Sequence, residues 1–169
     1  AVLDPGSGLA DAVELLRFCL RYGYQLRIIE QMPLDAGHQW RRDATLRADD
    51  ILTALSEHFT LSADPAPRGS ATAQLWQVDG GPATVGIIAS VSHAFCAACD
   101  RTRLTADGQV RSCLFATEET DLRALLRGGA DDDALATAWR TAMWRKAAGH
   151  GINDPDFIQP QRPMSAIGG

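Results

Sequence analysis

The sequence predicts an α/β segment followed by an α+β segment with antiparallel strands, and three features predict it. The first third reads helix, strand, helix, which is the unit of a parallel sheet or barrel. From residue 74, two apolar stretches bracket DGGP and form a strand, turn, strand pair. RTRLTADGQVRSCLF (101–115) then has the grammar of a second hairpin, and two helices follow it.

Each element has a local cause. Asp11 is a good N-cap, Glu14 stands where a reciprocal capping contact needs it, and Val13, Leu16 and Leu20 keep helical spacing until Gly23. Cys19 falls in this apolar stripe and reads as a small buried hydrophobe. QLRIIEQM (25–32) is a strand apolar enough to be buried on both faces, closed by Pro33. A second helix near 47–58 carries Asp49 and Asp50 at its positive end and turns Ile51, Leu55 and Phe59 to one side. A lone parallel-type strand needs neighbours, so the reading expects either a fragment of a longer barrel or another chain over its edge.

DPAPRGS (64–70) is a linker, after which QLWQV and ATVGIIAS supply the strand pair. Helices are expected near 120–127 and 131–147. The second has Asp131, Asp132 and Asp133 at its start, Arg145 and Lys146 at its end, and Leu135, Trp139 and Met143 as its buried stripe. The proline-rich tail NDPDFIQPQRPMSAIGG reads, on composition, as a loose end.

The chain has 169 residues, 46% hydrophobic and 22% charged, enough for one ordinary globular core. A net charge of -5 argues against a nucleic-acid surface. No apolar run has the length of a membrane span, and AVLDPGSGLADA lacks the regions of a signal peptide, so no membrane is expected. With only four cysteines the chain is not a disulfide scaffold, and their clustering points to metal or redox chemistry in a reducing, cytoplasmic setting.

FCAACDRTRLTADGQVRSCLF (95–115) holds Cys96, Cys99 and Cys113, with Arg101 and Arg103 after the C-x-x-C pair. That pair can place two thiolates on one metal centre. The hairpin brings Cys113 back, in one of two registers. A two-residue loop sets Leu104 opposite Arg111; a three-residue loop with Gly108 in a bulge sets Leu104 opposite Val110 and Arg101 opposite Cys113. The bulged register is the expected one, because it pairs apolar with apolar and gathers Leu104, Val110 and Leu114 on one face. It puts Arg101, Arg103, Arg111 and Cys113 on the other. Arg103 opposite Arg111 is a like-charge pair, reasonable if an anion sits there.

Three thiolates leave one iron of a [4Fe–4S] cluster open to an outside ligand, and arginine forks beside it suit phosphates. Spacing alone favours a structural zinc over the cluster, with His93 completing a Cys3His set in a non-catalytic binding module. A redox dithiol on Cys96 and Cys99 is the third reading, though the pair follows no thioredoxin-like pattern.

The cysteine stretch closely resembles the C-terminal cluster motif of the GTP 3',8-cyclases of molybdenum cofactor biosynthesis, the MoaA family of radical S-adenosylmethionine enzymes. LRIIEQMPLDAG (26–37) is similar to that family's strand-and-loop segment, and MSAIGG (164–169) to its Gly-Gly end. The resemblance runs from about residue 11 to the last residue. It implies an incomplete (β/α) TIM-like barrel ending at 1–63, a cluster- and substrate-binding domain over 64–152 and an extended tail over 153–169. By position it implies that Cys96, Cys99 and Cys113 bind a [4Fe–4S] cluster with an open iron. Arg101, Thr102 and Arg103 would bind GTP, Met32 would contact S-adenosylmethionine, and Gly168 and Gly169 would lie in the active site, where glycine lets the backbone approach a ligand closely. It also implies a homodimer. No C-x-x-x-C-x-x-C occurs in the sequence. The expectation is therefore the C-terminal part of such an enzyme, inactive without the N-terminal barrel part and the second [4Fe–4S] cluster that cleaves S-adenosylmethionine.

Overall fold

The computed structural model describes residues 1–168, so Gly169 lies outside the described residues. The chain forms two compact units, Ala1–Met32 with Trp40–Cys99, and Pro33–Gln39 with Asp100–Gly169. Both mix helices with antiparallel strands, an α+β architecture. Among the described residues no helix is long and apolar enough to cross a membrane.

In the first unit, α1 spans Gly8–Tyr22, starting a turn before Asp11. Ser7 is the capping position, and its hydroxyl donates to the Asp11 carboxylate at 2.6 Å. Glu14 pairs with Arg17 at 2.5 Å and takes no part in capping. Gly23, with φ of +71°, ends the helix, and the Tyr24 N–H returns to the Cys19 carbonyl at 2.8 Å. The helix buries Ala12, Val13, Leu16 and Cys19.

Strand β1 (Leu26–Ile29) buries Leu26 and Ile28 but exposes Arg27, so it is covered on one face and not on both. Its neighbour comes from the same chain. β1 runs parallel to β4 (Thr84–Ile88), with Leu26 opposite Val85 and Ile29 opposite Ile88. β3 (Gln74–Val78) pairs antiparallel with β4, and β2 (Leu61–Ala63), which the sequence reading did not foresee, pairs with β3. The order is β1-β4-β3-β2, one sheet running across the compositional change at residue 64. On the other side of β1, Ala1 is bonded: Ile29 N–H donates to its carbonyl at 2.9 Å, and its amino group donates to Arg27 O at 2.7 Å. Helix α2 (Ala48–Ser56) buries Ile51 and Leu55, and these join Leu16, Ile28, Val85 and Ile87 in one core. Apolar burial of this kind is the main source of the unit's stability.

In the second unit a small sheet has the order β5-β6-β7: Arg103–Leu104, Gln109–Arg111 and Thr120–Asp121. The hairpin has the bulged register, Leu104 opposite Val110 and Arg103 opposite Arg111. Thr105 N–H donates to Gln109 O and Gly108 N–H to Thr105 O, both at 2.9 Å, and Gly108 takes φ of +82°. The ladder ends at Arg103, so it does not extend to Arg101 and Cys113. The expected apolar face is incomplete: Val110 is buried, but Leu104 is 56% exposed.

Helices α3 (Leu122–Arg127) and α4 (Asp132–Trp144) are capped by Asp121 and Asp131, whose carboxylates accept N–H groups at 2.8 and 2.9 Å. Leu135, Trp139 and Met143 are half-buried, and in α4 only Ala142 is buried outright, so the helix lies against the unit along a shallow face. The tail is no loose end. Ile167 is fully buried, Met164 N–H donates to Leu34 O at 2.8 Å, and a short 3-10 turn covers Met164–Ala166. Arg162 fastens it, donating to both Glu119 carboxylate oxygens and to Asp107, each at 2.9 Å.

Candidate functional site

Cys96 and Cys99 stand at the start and just past the end of a 3-10 turn over Cys96–Ala98, closed by Cys99 N–H on Cys96 O at 3.0 Å. Both are half-buried, as is Cys113, and none of the three is in a disulfide. The segment leading into this turn is held by carboxylates. Glu30, at the C-terminal end of β1 and 2% exposed, accepts N–H groups from Ala48 at 2.8 Å, Val91 at 2.6 Å and Ser92 at 2.8 Å, and also the Ser92 hydroxyl. His93 Nε2 lies 3.2 Å from both oxygens of Asp49, in the first turn of α2. Phe95 lies under the Arg68 guanidinium, 5.1 Å from the ring centroid. Sequence reasoning counted Glu30 within the strand 25–32 and gave it no role, because its partners come from α2 and from residues 91–92.

Arg103 and Gly168 meet in the second unit. Arg103 Nη1 donates to the Gly168 carbonyl at 2.7 Å, bringing together two of the sequence-predicted site residues. Thr102 donates its hydroxyl to Arg111 O at 3.3 Å, and Lys146 Nζ donates to Arg101 O at 2.8 Å. Arg111 is different from its cross-strand partner. It is 2% exposed, pairs with Glu119, and donates to the carbonyls of Ala116 and Leu114. The like-charge opposition of Arg103 and Arg111 is thus relieved from inside by Glu119, without the outside anion that the register argument invoked.

Beside this pair, the Thr105 hydroxyl and then the Arg162 guanidinium pull the Asp107 carboxyl down to about 2. Hydrogen bonds to Asp107 first and Glu119 next raise Arg162 above the ordinary arginine value. Cys113 lines a cavity of about 340 Å³ with Phe115, Glu119, Arg145 and His150. Its sulfur accepts the Phe115 N–H at 3.5 Å, and His150 Nδ1 accepts the Ile152 N–H at 3.1 Å. Neither His150 nor Glu119 was a sequence-stated site residue, since both lie in stretches without motif spacing. Met32 is half-buried, next to Gln31, whose carbonyl accepts the Trp40 indole N–H at 2.9 Å.

The donor set suits an iron–sulfur group in kind: three half-buried thiols, with arginines following the pair. Cys96 and Cys99 belong to the first unit and Cys113 to the second. Among the described residues no three His, Cys, Asp or Glu side chains are gathered so as to hold a metal ion.

Comparison with known proteins gives this site its context. The family model described as Molybdenum Cofactor Synthesis C matches residues 24–152. GTP 3',8-cyclase of Mycobacterium marinum is 74% identical over the whole chain, which covers 48% of that protein. GTP 3',8-cyclase 2 of Mycobacterium tuberculosis shows the same 74% and 48%. GTP 3',8-cyclase of Mycobacterium sp. strain KMS is 77% identical over the whole chain, again 48% of its own length. The chain spans about half the length of the curated relatives it matches. With the family model covering most of its residues, including all three clustered cysteines and both arginines after the pair, the chain belongs to the Molybdenum Cofactor Synthesis C family.

Proposed function

We propose that this chain is the substrate-binding, cluster-holding part of a radical S-adenosylmethionine GTP 3',8-cyclase in molybdenum cofactor biosynthesis. The observation that carries the reading is likeness along the whole chain to relatives named GTP 3',8-cyclases. In this reading 1–63 ends an incomplete barrel, 64–152 is the cluster- and substrate-binding domain, and 153–169 is the tail that delivers Gly168 and Gly169. The missing barrel part and a homodimer complete the enzyme. Without a C-x-x-x-C-x-x-C the chain by itself does not cleave S-adenosylmethionine.

Cys96, Cys99 and Cys113 would hold the [4Fe–4S] cluster, and Met32 would face S-adenosylmethionine. When bound, a cluster held by three thiolates supplies an iron with a position open to a substrate ligand. The protein's own contribution is positioning. Arg103 has several guanidinium N–H groups, and the one on Gly168 O fixes the plane of the fork, leaving the fork's geometry suited to a phosphate. Arg101 and Thr102 extend the same stretch, with the Arg101 backbone tied to Lys146 and Thr102 tied to β6. Arg111 takes no substrate, because its charge is spent on Glu119.

Anaerobic reconstitution with iron and sulfide tests the reading. It should give a brown protein with about four irons per chain, and titration calorimetry should then show GTP binding. Stoichiometric zinc with no chromophore would instead support a zinc-stabilised binding module.

A further inference from the structure

We infer that Glu30 is a positioning residue for the cysteine pair: it fixes the segment that delivers Cys96 and Cys99 and so governs how firmly a thiolate-held group is kept. The inference rests on the cluster reading above.

Glu30 is a buried carboxyl group whose oxygens accept from three backbone N–H groups and one hydroxyl. A carboxylate so placed is costly unless every lone pair is used, and here the partners come from two separate pieces of chain. Ala48 N–H is one of the donors at the start of α2, which intrahelical bonds leave without a partner. Val91 and Ser92 belong to the stretch that leaves β4. Glu30 itself is fixed at the end of β1, where its N–H donates to Ile88 O at 3.2 Å and its carbonyl accepts the Ser90 hydroxyl at 3.3 Å. One side chain therefore joins β1, α2 and the path into the cysteine turn.

The next residues are held in turn. His93 is bound to Asp49 on the same first turn of α2, and Phe95 lies under Arg68. Ser90, Val91, Ser92, His93 and Phe95 are each tied to the frame. Cys96 follows at once, at the start of its 3-10 turn. The thiols of a metal site are useful only where the backbone puts them, and partners outside the ligand set commonly tune metal affinity by roughly 10–100-fold. Glu30 does this through the backbone of 91–92.

The test compares the whole chain with its Glu30→Gln and Ser92→Ala variants. Glutamine keeps one acceptor oxygen but faces an N–H with an NH2 group. Ser92→Ala removes only the hydroxyl contact. Each protein is reconstituted anaerobically with iron and sulfide, and three quantities are read: irons per chain, the electron paramagnetic resonance spectrum of the reduced protein, and the rate at which a chelator bleaches the colour. Glu30→Gln should bleach roughly tenfold faster than the parent, with an altered spectrum, and Ser92→Ala should fall between the two. Hydrogen exchange should be faster at the amides of Val91 and Ser92 in Glu30→Gln, while α1 keeps its protection.

A parent chain that takes up no iron sinks the cluster reading. A parent that takes up iron, with both variants matching it in spectrum and bleaching, overturns the role given to Glu30 and leaves the cluster reading intact. If Glu30→Gln does not fold, the decision passes to Ser92→Ala: parental bleaching in that variant overturns the inference, and faster bleaching with unchanged far-ultraviolet circular dichroism supports it.

Discussion

Removing the Arg111 side chain takes from Glu119 its buried ion-pair partner, leaving the outer guanidinium of Arg162, and strips the Ala116 and Leu114 carbonyls of a donor. Arg111→Met should therefore lower stability by roughly 3 kcal/mol, the lower end for a broken buried ion pair because Arg162 stays in place. Urea denaturation measures it. Arg103, across the ladder, is the contrasting case. Arg103→Ala should leave the urea midpoint nearly unchanged and weaken GTP binding by roughly 1.5–3 kcal/mol, the range for a hydrogen bond to a charged group, read by calorimetry. If the two variants exchange phenotypes, the assignment of one arginine to structure and the other to ligand is wrong. Asp107 gives a test that needs no ligand. Its carboxyl is held near 2, below the ordinary aspartate value of about 3.9, so its stabilising contacts are complete above pH ~4 and fade as the pH falls through 2. Carbon-detected nuclear magnetic resonance should place its midpoint near 2, and a midpoint near 4 would mean that Thr105 and Arg162 do not hold it in solution.

At the scale of elements, two glycines separate conformational cost from crowding. A Cβ on Gly23 would meet nothing within 4 Å, so Gly23→Ala bears only the left-handed backbone cost, about 1–2 kcal/mol. Gly108 has the same kind of φ, but a Cβ there would come within 2.6 Å of Arg123 Cβ. Gly108→Ala should be the more damaging of the two in thermal denaturation, and an equal loss would show that Arg123 can move away. Both glycines were legible in the sequence, as the helix stop and as the bulge that fixes the hairpin register, because each answers a local backbone demand. The caps Asp121 and Asp131 belong to the same category, and only the second was foreseen as a helix start. What was not legible depended on distant partners. β2 is too short to announce itself and exists because β3 offers it a ladder. Glu30 is one more residue of the strand 25–32 until α2 and residues 91–92 converge on it. Likewise, Arg111 was placed on a ligand face because its Glu119 partner lies in another strand connection.

Taken as a whole, the molecule was readable as helices mixed with antiparallel strands, but the parallel neighbour of the first strand within the chain was not foreseen. Sequence order suggested a neighbour outside the chain, whereas β4 supplies it on one side. That parallel match could not be seen locally, since it joins residues on either side of the proline-rich stretch at 64–70. The family connection was legible for a different reason: the C-x-x-C and the arginines after it form a pattern of residue types inside the stretch that the family model matches, readable without any geometry. The shared ladder has a practical outcome. A protease that nicks the exposed stretch between Ala63 and Ala71 should yield two pieces that still travel together through a sizing column, because severing the backbone there leaves the strand contacts stitched across the cut. Separate elution would mean that those contacts are weaker than the peptide bond made them seem.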